Sequence, residues 1–411
     1  MKKLPAILLI TLFISGCDQL GSTKIKNLID LTPKLEVEET SALKITEGIK
    51  DPYSQEKQKS YNIARASIIS EPAIAKKIVY SIDRKGHVSA FSIKEKKIVW
   101  TTDIAGNTSS RNFYNGGILY SNDKLFVTNG TRYLVILDAV TGREIIRKEF
   151  PDILRTKAIM ATGDLVIVQT ISNQLVAYNI NDSKFIWMHE GGIETISAKA
   201  HIHPVLYKGD IIASYSSGEV VAVDVKTGQE KWRYSLLNFS DVTLPGFEPA
   251  VITTEPIIAG ENGYFATSTG KVIKLNLANG MPVWVKEAED VQSMFLHQGN
   301  LFITNNARQI AAIGTDNGKV SWIGDLISEK ERSKRKPKPA LFQKPFVSVE
   351  GTGFAVNVIA GNGEIYKFTT DENGNLPRTP VIISIDKGVK YYWISCCTGK
   401  LHLITDRSIR F

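Results

Sequence analysis

The sequence predicts an all-β chain: an eight-bladed β-propeller with four-stranded antiparallel blades, preceded by an export signal and a tether. Three observations support this prediction. A motif of fifteen positions recurs along the body of the chain, and five of the six tryptophans occupy its last position. No long segment of the body has the apolar period of a helix. With 411 residues, of which 43% are hydrophobic, the chain can bury a large core.

The N-terminus has the pattern of a lipoprotein signal. Two lysines precede an apolar run, Leu4–Ile14, which is shorter than a bilayer-spanning helix. Ile14–Cys17 (ISGC) resembles the lipobox of bacterial lipoproteins, which implies a signal peptide over 1–16 and a lipid anchor, with fatty acids such as palmitate, on Cys17. The alternative is an ordinary signal peptide that contains a cysteine.

The residues after the anchor bear on localisation and domain order. We expect a tether over 17–60, because this segment is charged and lacks the motif, and a propeller over 61–411. The predicted location is the periplasmic face of the outer membrane. Asp18 resembles the inner-membrane retention signal of enteric lipoproteins, so inner-membrane retention is the alternative.

The repeat is clearest in GEVVAVDVKTGQEKW, which spans residues 218–232. Four further copies span 86–100, 173–187, 270–284 and 308–322, so that the five tryptophans are Trp100, Trp187, Trp232, Trp284 and Trp322. Three degenerate copies begin at 132, 363 and 399, which makes the average spacing about 45 residues. That period is typical of four-stranded propeller blades.

Each copy combines a strand, a turn and a second strand. Gly86, Gly218 and Gly270 begin their copies, and Gly228 supplies the turn in the clearest one. A tryptophan once per blade provides an apolar wedge with an N–H donor, suited to the seam between neighbouring sheets. The alternative, an aromatic cage for a ligand, fits the regular spacing less well.

The last copy ends at Phe411, where a third strand would end. We therefore expect a segment N-terminal to the first copy, within 61–76, to supply the missing strand and close the ring.

Composition and motifs favour binding over catalysis. The formal charge of +8 falls to +6 once Lys2 and Lys3 leave with the signal, which is too mild a bias for a nucleic-acid surface. His201 and His203 lack a further convergent ligand, so no metal site is predicted. No P-loop, nucleophile elbow or H-E-x-x-H is present. The charged stretch 328–339 is either a solvated connection or a basic docking loop.

The motif G-x-V-x-A-x-(D/N)-x-x-x-G-x-x-x-W resembles the repeat of pyrroloquinoline-quinone (PQQ)-type propellers. Together with the lipobox and the chain length, it is similar to the BamB family of lipoproteins, from about residue 61 onward. The resemblance implies a non-catalytic scaffold without a cofactor. Its partners would be the periplasmic domains of the BamA-like barrel assembly factor and unfolded outer-membrane proteins.

In that family, partner binding involves the loops leading into the fifth and sixth motif copies. One loop carries a leucine-rich segment ending in arginine, and the other carries two acids one residue apart. Leu244 matches the first loop, whose arginine is missing here. Asp290 matches one acid, and Gln292 stands where the other would be. An ordinary inter-blade connection is the alternative at both places.

The same repeat resembles that of quinone-dependent alcohol dehydrogenases, which also use a vicinal cysteine pair. Cys396 and Cys397 form such a pair, either as small packed side chains or as a redox-labile disulfide. A small quinoprotein and a generic periplasmic receptor are therefore the alternative functions. The chain has no assembled set of metal ligands around the pair, so we predict a protein that is not an enzyme.

Overall fold

The structure is a computed structural model of the chain. It describes residues 49–50, 59–106, 112–192, 202–236, 252, 254–267, 270–288, 291–328, 331, 333, 341–350, 353–369, 380–385, 387–394 and 401–410. Within these ranges, the 33 elements with defined bounds are all β-strands. No helix in the described residues is long and apolar enough to cross a bilayer.

Two short strands precede the first blade, β1 (Ile49–Lys50) and β2 (Ser60–Asn62). Blade 1 contains β3 (Ala73–Ala75), β4 (Ile78–Ile82), β5 (His87–Ser92) and β6 (Lys97–Asp103). Blade 2 contains β7 (Gly117–Ser121), β8 (Lys124–Thr128), β9 (Tyr133–Asp138) and β10 (Glu144–Glu149). Blade 3 contains β11 (Leu154–Thr162), β12 (Leu165–Thr170), β13 (Gln174–Asn179) and β14 (Lys184–Glu190). Blade 4 contains β15 (Val205–Tyr207), β16 (Asp210–Ser214), β17 (Glu219–Asp224) and β18 (Glu230–Ser235).

Blade 5 contains β19 (Ile257–Ala259), β20 (Asn262–Ala266), β21 (Lys271–Asn276) and β22 (Pro282–Glu287). Blade 6 contains β23 (Val291–His297), β24 (Asn300–Asn305), β25 (Gln309–Gly314) and β26 (Val320–Asp325). Blade 7 contains β27 (Phe346–Glu350), β28 (Gly353–Ala360), β29 (Glu364–Thr369) and β30 (Val381–Ser384). Blade 8 contains β31 (Tyr391–Ile394), β32 (Leu401–Ile404) and β33 (Ser408–Arg410), followed in the sheet by β2.

This arrangement confirms the predicted eight-bladed propeller of four-stranded antiparallel sheets. The predicted ring closure is also confirmed, because β2 pairs antiparallel with β33, with Tyr61 opposite Ile409. A strand from the N-terminal side of the first blade therefore completes the last blade. The closing strand begins at Ser60. Closure in this way covers the edge that β33 would otherwise expose.

The third strand of the last blade ends next to Phe411, at Arg410, as the sequence predicted, but the start of the eighth copy at Gly399 is wrong. Starting that copy at Gly399 would make Leu401–Ile404 a third strand, but this strand lies second, between β31 and β33. The turn after it carries the bond Thr405 N–H to Ser408 O (2.9 Å), which corresponds to Asp83 N–H to His87 O (3.0 Å) in blade 1. A glycine before an apolar strand indicates a turn but does not say which turn of the blade it is.

The first strand of each blade lies nearest the ring axis. First strands of neighbouring blades contact one another at β3 with β7, β7 with β11 and β19 with β23. Second and third strands, such as β4 and β5, are almost entirely buried, whereas the fourth strand β6 is partly exposed. The cores therefore lie between adjacent sheets.

Antiparallel order also defines two faces of the ring. The loop face carries the turns between second and third strands and the connections from one blade to the next. The turn face carries the first-to-second and third-to-fourth turns. On the turn face the chain reverses within a few residues, as at Lys208–Gly209 and Asn122–Asp123. The longest connections belong to the loop face, but the turn face also carries a long one, residues 370–380 between β29 and β30 of blade 7.

Tryptophans on the fourth strands join neighbouring blades. Their indole Nε1 groups donate to carbonyls at the next blade's third-to-fourth turn: Trp100 to Ala139 (3.2 Å), Trp187 to Val225 (3.1 Å), Trp232 to Leu277 (2.9 Å) and Trp284 to Thr315 (2.9 Å). A glycine of the receiving turn lies against the ring in each case, at Gly142, Gly228, Gly280 and Gly318. The glycine leaves room for the indole, so each tryptophan seals the seam ahead of it.

Turns that receive no tryptophan have the same backbone without glycine. Lys96 (φ +56°) and Ser183 (φ +54°) occupy this position in blades 1 and 3. The strand preceding blade 3 carries Ile146 where a tryptophan would stand, and blade 8 ends in β2. The glycine is therefore required mainly by the incoming indole, because a left-handed φ alone is tolerated by lysine and serine here.

The segment predicted as a tether contributes to the sheets. β1 pairs in parallel with β27, with Ile49 opposite Ser348 and Lys50 opposite Val349. Because β27 is the first strand of blade 7, β1 is a fifth strand on the axis side of that blade.

Candidate partner-docking face

The predicted docking residues belong to connections on the loop face. Leu244 lies between β18 and β19, and Asp290 lies between β22 and β23; both residues fall outside those the structure describes. Fourth strands end on the loop face and first strands begin there, so both connections leave and return at that face. The lipid-anchor residue Cys17 and the pair Cys396 and Cys397 are likewise outside the described residues.

Gln292, which stands where the family has a second acid, has a structural role. Its Oε1 accepts the Phe342 N–H at 2.9 Å, and its Nε2 donates to the Asn306 side chain. The amide thus joins the first strand of blade 6 to the connection that enters blade 7. A carboxylate at this position could accept from Phe342 but could not donate to Asn306.

Arg308 holds the start of the charged stretch 328–339. It has φ +62°, at a motif position where other copies have glycine, and its side chain is 7% exposed. The guanidinium pairs with Glu331, whose side chain is 14% exposed. The guanidinium balances the charge of Glu331, and the Glu331 N–H donates to Ser328 O (2.9 Å). These two contacts fix the first turn of the stretch against blade 6.

The loop-face end of the seam between blades 3 and 4 is held by polar bonds. Asn173 accepts from the Ser216 N–H (3.1 Å) and hydroxyl (2.8 Å), and it donates to Gly192 O (3.1 Å). Gly192 N–H donates to Glu219 (2.8 Å), which also pairs with Arg233 (2.6 Å). These bonds position both sides of the connection that follows Gly192.

Two carboxylates of this seam have lowered pKa values. Burial would raise the pKa of Glu219, but bonds from Arg233, Gly192 and Ser217 outweigh it and lower the pKa. The Arg233 guanidinium lowers the pKa of Glu230, and His189, whose Nε2 lies 2.8 Å from Glu230, contributes to that shift. Both groups are therefore carboxylates at neutral pH, so the network is complete there.

The turn face joins blades by exposed ion pairs. Lys76 and Asp123 lie 2.6 Å apart across blades 1 and 2, and Lys208 and Glu261 lie 3.2 Å apart across blades 4 and 5. The bond from Lys76 lowers the pKa of Asp123. Pairs this exposed contribute little stability. These short turns, whose charges are paired, offer less surface to a partner than the long connections of the loop face.

The described residues contain no group of three or more His, Cys, Asp or Glu side chains placed to hold a metal ion. His201 is outside them, and His203 Nδ1 lies 3.5 Å from Glu255.

Comparison with known proteins assigns the chain to a protein family. The model of the family described as "Outer membrane protein assembly factor BamB" matches residues 84–324. The chain belongs to this family. An uncharacterized protein of Rickettsia conorii is 39% identical over 417 residues, covering 100% of this chain and 99% of that protein. Outer membrane protein assembly factor BamB of Yersinia pestis is 21% identical over 382 residues, covering 90% of this chain and 92% of that protein.

The BamB fold is also seen among solved structures. The crystal structure of BamB from Moraxella catarrhalis matches with a TM-score of 0.66 at 17% identity, covering 86% of this chain and 98% of that one. At this identity the match shows a shared propeller fold.

Two structural features of this BamB-family chain were missed by sequence reasoning. Gln292 was interpreted only as a missing acid, and Arg308 only as the start of a motif copy. The sequence did contain a signal for Arg308, since it replaces a glycine in a turn that needs positive φ. No signal indicated its partner, because Glu331 lies in a stretch without the motif.

Proposed function

We propose that the chain is a non-catalytic scaffold lipoprotein of the complex that assembles outer-membrane β-barrel proteins. It would be anchored by lipid on Cys17, after removal of residues 1–16, and held at the periplasmic face of the outer membrane by a tether over 17–60. Its partners would be the periplasmic domains of a BamA-like assembly factor. Membership of the BamB family, with the whole propeller retained, is the observation that carries the proposal.

We propose that the connections containing Leu244 and Asp290 dock the assembly factor. Both belong to the loop face, where bonds at Gln292 and Arg308 hold the adjacent segments in place. A platform of this kind lets the ring present several connections to one partner without reorganising. Help in inserting outer-membrane proteins would follow from bringing the assembly factor and unfolded barrel chains together.

The test is co-purification of the membrane-anchored chain in mild detergent, with partners identified by mass spectrometry. Recovery of the barrel assembly factor is expected. We expect Asp290→Lys and Leu244→Glu to abolish it. Asp182→Lys and Val140→Glu introduce the same kinds of charge at exposed turn-face positions and should leave it unchanged.

Two results would overturn the proposal. One is absence of the assembly factor combined with confinement to inner-membrane fractions, which would make Asp18 a retention signal. The other is purification with bound quinone and calcium, visible in the absorbance spectrum and by metal analysis, which would favour a quinoprotein.

A further inference from the structure

Three segments on the loop face of blades 1 to 3 lie side by side. A Cβ built on Gly130 would lie 3.0 Å from the Asn115 carbonyl oxygen, so these two backbones are in close contact. The Arg132 guanidinium donates to the Pro151 carbonyl, and Leu154 N–H donates to Thr131 O (3.0 Å). The segments 112–116, 129–133 and 150–154 therefore form one continuous surface.

This surface exposes apolar and aromatic side chains. Tyr114 is 73% exposed, and Tyr133 and Ile153 are each 38% exposed. We name as the tyrosine patch the exposed residues Tyr114, Asn115, Arg132, Tyr133, Pro151 and Ile153. Tyrosine and arginine are enriched at the energetic centres of protein interfaces, where lysine and glutamate are depleted.

The patch is held by buried neighbours. Phe113, next to Tyr114, is 8% exposed, and its N–H donates to Arg84 O (2.8 Å). Phe150, next to Pro151, is 2% exposed, and its N–H donates to Arg132 O (2.8 Å). A surface fixed in this way loses little conformational entropy when a partner binds.

Cations lie in and beside the patch, whereas two of the neighbouring acids, Asp83 and Asp152, are engaged locally. Arg84, Lys85 and Arg132 are exposed and form no ion pair within the described residues. Asp83 is fully buried and accepts from Ala66 N–H (3.0 Å) and Lys85 N–H (2.9 Å). Glu149, opposite Tyr133 in the sheet, is an exposed acid beside the patch, but the three cations outnumber it, so the net charge that a partner meets is positive.

The second acid near the patch is also engaged. Asp152 accepts from Ile153 N–H (2.7 Å) and from the Ser172 hydroxyl (2.6 Å). The Asp152 carboxylate is therefore occupied by hydrogen bonds that hold the patch backbone. It is less available to pair with cations of a partner.

We propose that the tyrosine patch is a second docking site, which binds an acidic, apolar-rich segment of a partner protein. It is separate from the connections containing Leu244 and Asp290, which belong to blades 4 to 6. The tyrosines, Pro151 and Ile153 contact the segment's apolar side chains. Arg84, Lys85 and Arg132 pair with its carboxylates and select against basic segments.

Fluorescence anisotropy with synthetic peptides tests the proposal on the full chain. The probe alternates Asp or Glu with Leu and Phe, and the comparison peptide has Lys in place of each acid. The acidic probe should bind at least about tenfold more tightly, with the preference falling at raised ionic strength. Equal binding of the two peptides would overturn the proposal.

A matched pair of double variants locates the binding. Tyr114→Ser with Arg132→Glu should weaken binding of the acidic probe about tenfold or more. Val140→Ser with Arg143→Glu makes the same change in charge on the turn face of blade 2, where both residues are exposed, and should leave binding unchanged. Equal losses in the two double variants would show a non-specific charge effect and refute the patch. Circular dichroism checks that both variants fold.

Photo-crosslinking in cells identifies the occupant. A photoreactive phenylalanine at position 114 should capture an acidic, apolar-rich protein segment, and the same residue at position 140 should not. Capture of a second copy of this chain, of lipid, or of nothing would each contradict the proposal. Asp290→Lys should leave probe binding intact, so this proposal and the proposed function can fail independently.

Discussion

Gly228 lies directly against the indole of Trp187: a Cβ built on this glycine would be 2.6 Å from the ring atom Cδ2. The two residues belong to consecutive blades, and the indole N–H bonds to Val225 in the same turn. The tryptophan of one blade and the turn glycine of the next thus form one structural unit.

Gly228→Ala should therefore destabilise the ring by about 2–4 kcal/mol, through a left-handed alanine and a collision with the indole. The measurement is chemical denaturation. Gly163→Ala is the matched control, because Gly163 has φ +57° and nothing within 4 Å of its built Cβ. The control should cost only about 1 kcal/mol. Equal costs would mean that backbone strain alone requires glycine at this turn.

Arg308 combines an unfavourable φ with a buried ion pair, and two substitutions separate these contributions. Arg308→Ala should cost about 3 kcal/mol, because Glu331 loses its partner. Arg308→Gly loses the same pair but relieves the strained φ, so it should be about 1 kcal/mol more stable than the alanine variant. Thermal unfolding measures both. An alanine variant as stable as the glycine variant would contradict the strain argument.

The seam between blades 3 and 4 should be sensitive to acid. The pKa of Glu219 is lower in the folded chain than its ordinary value of 4.5, so its stabilising contribution is complete above that pH. The contribution is lost as the pH falls through the lower, folded pKa. Glu219→Gln should therefore cost about 2 kcal/mol at pH 7, and the cost should shrink in acid.

Thermal midpoints measured at neutral pH and near pH 3 would check this expectation. Glu149→Gln removes the same charge from an exposed position at the end of β10 and should show little effect at either pH. A cost for Glu219→Gln that does not change with pH would show that the carboxylate charge is unimportant.

Ring closure depends on a three-residue strand. Tyr61→Pro removes a backbone donor from β2 and disfavours its pairing with β33, so the thermal midpoint should fall. Tyr61→Val keeps the backbone donor and introduces a β-branched residue that favours the extended backbone, so it should retain most of the stability. The rings of Tyr61 and Phe91 lie 6.2 Å apart, centroid to centroid. If both substitutions lower the thermal midpoint equally, the loss comes from this side-chain packing rather than from ring closure.

Most of the fold could be predicted because propeller blades are local units. The fifteen-position motif covers two adjacent strands and their turn, so its repetition alone indicated the number of sheets. The role of the tryptophans followed from their period, since a side chain recurring once per blade must meet the same neighbour each time. The start of the eighth motif copy could not be read in this way, because a glycine before an apolar strand is compatible with more than one turn of a blade.

The tyrosine patch could not be predicted from the sequence and became visible only in the tertiary structure. Tyr114, Tyr133 and Ile153 are about twenty residues apart in the chain and belong to no motif. Only the packing of blades 1 to 3 places them on one surface. The pairing of Arg308 with Glu331 likewise joins a turn to a connection whose path no local pattern predicts.

By itself, the sequence determined an all-β ring of eight four-stranded blades, closed by a strand from the N-terminal side, because short apolar strands, turn glycines and periodic tryptophans act over short distances. The tertiary structure decided which turn each glycine serves, which side chains fix the connections, and where exposed tyrosines meet cations. These features depend on contacts between blades, and such contacts arise only after each sheet has formed and packed against the next.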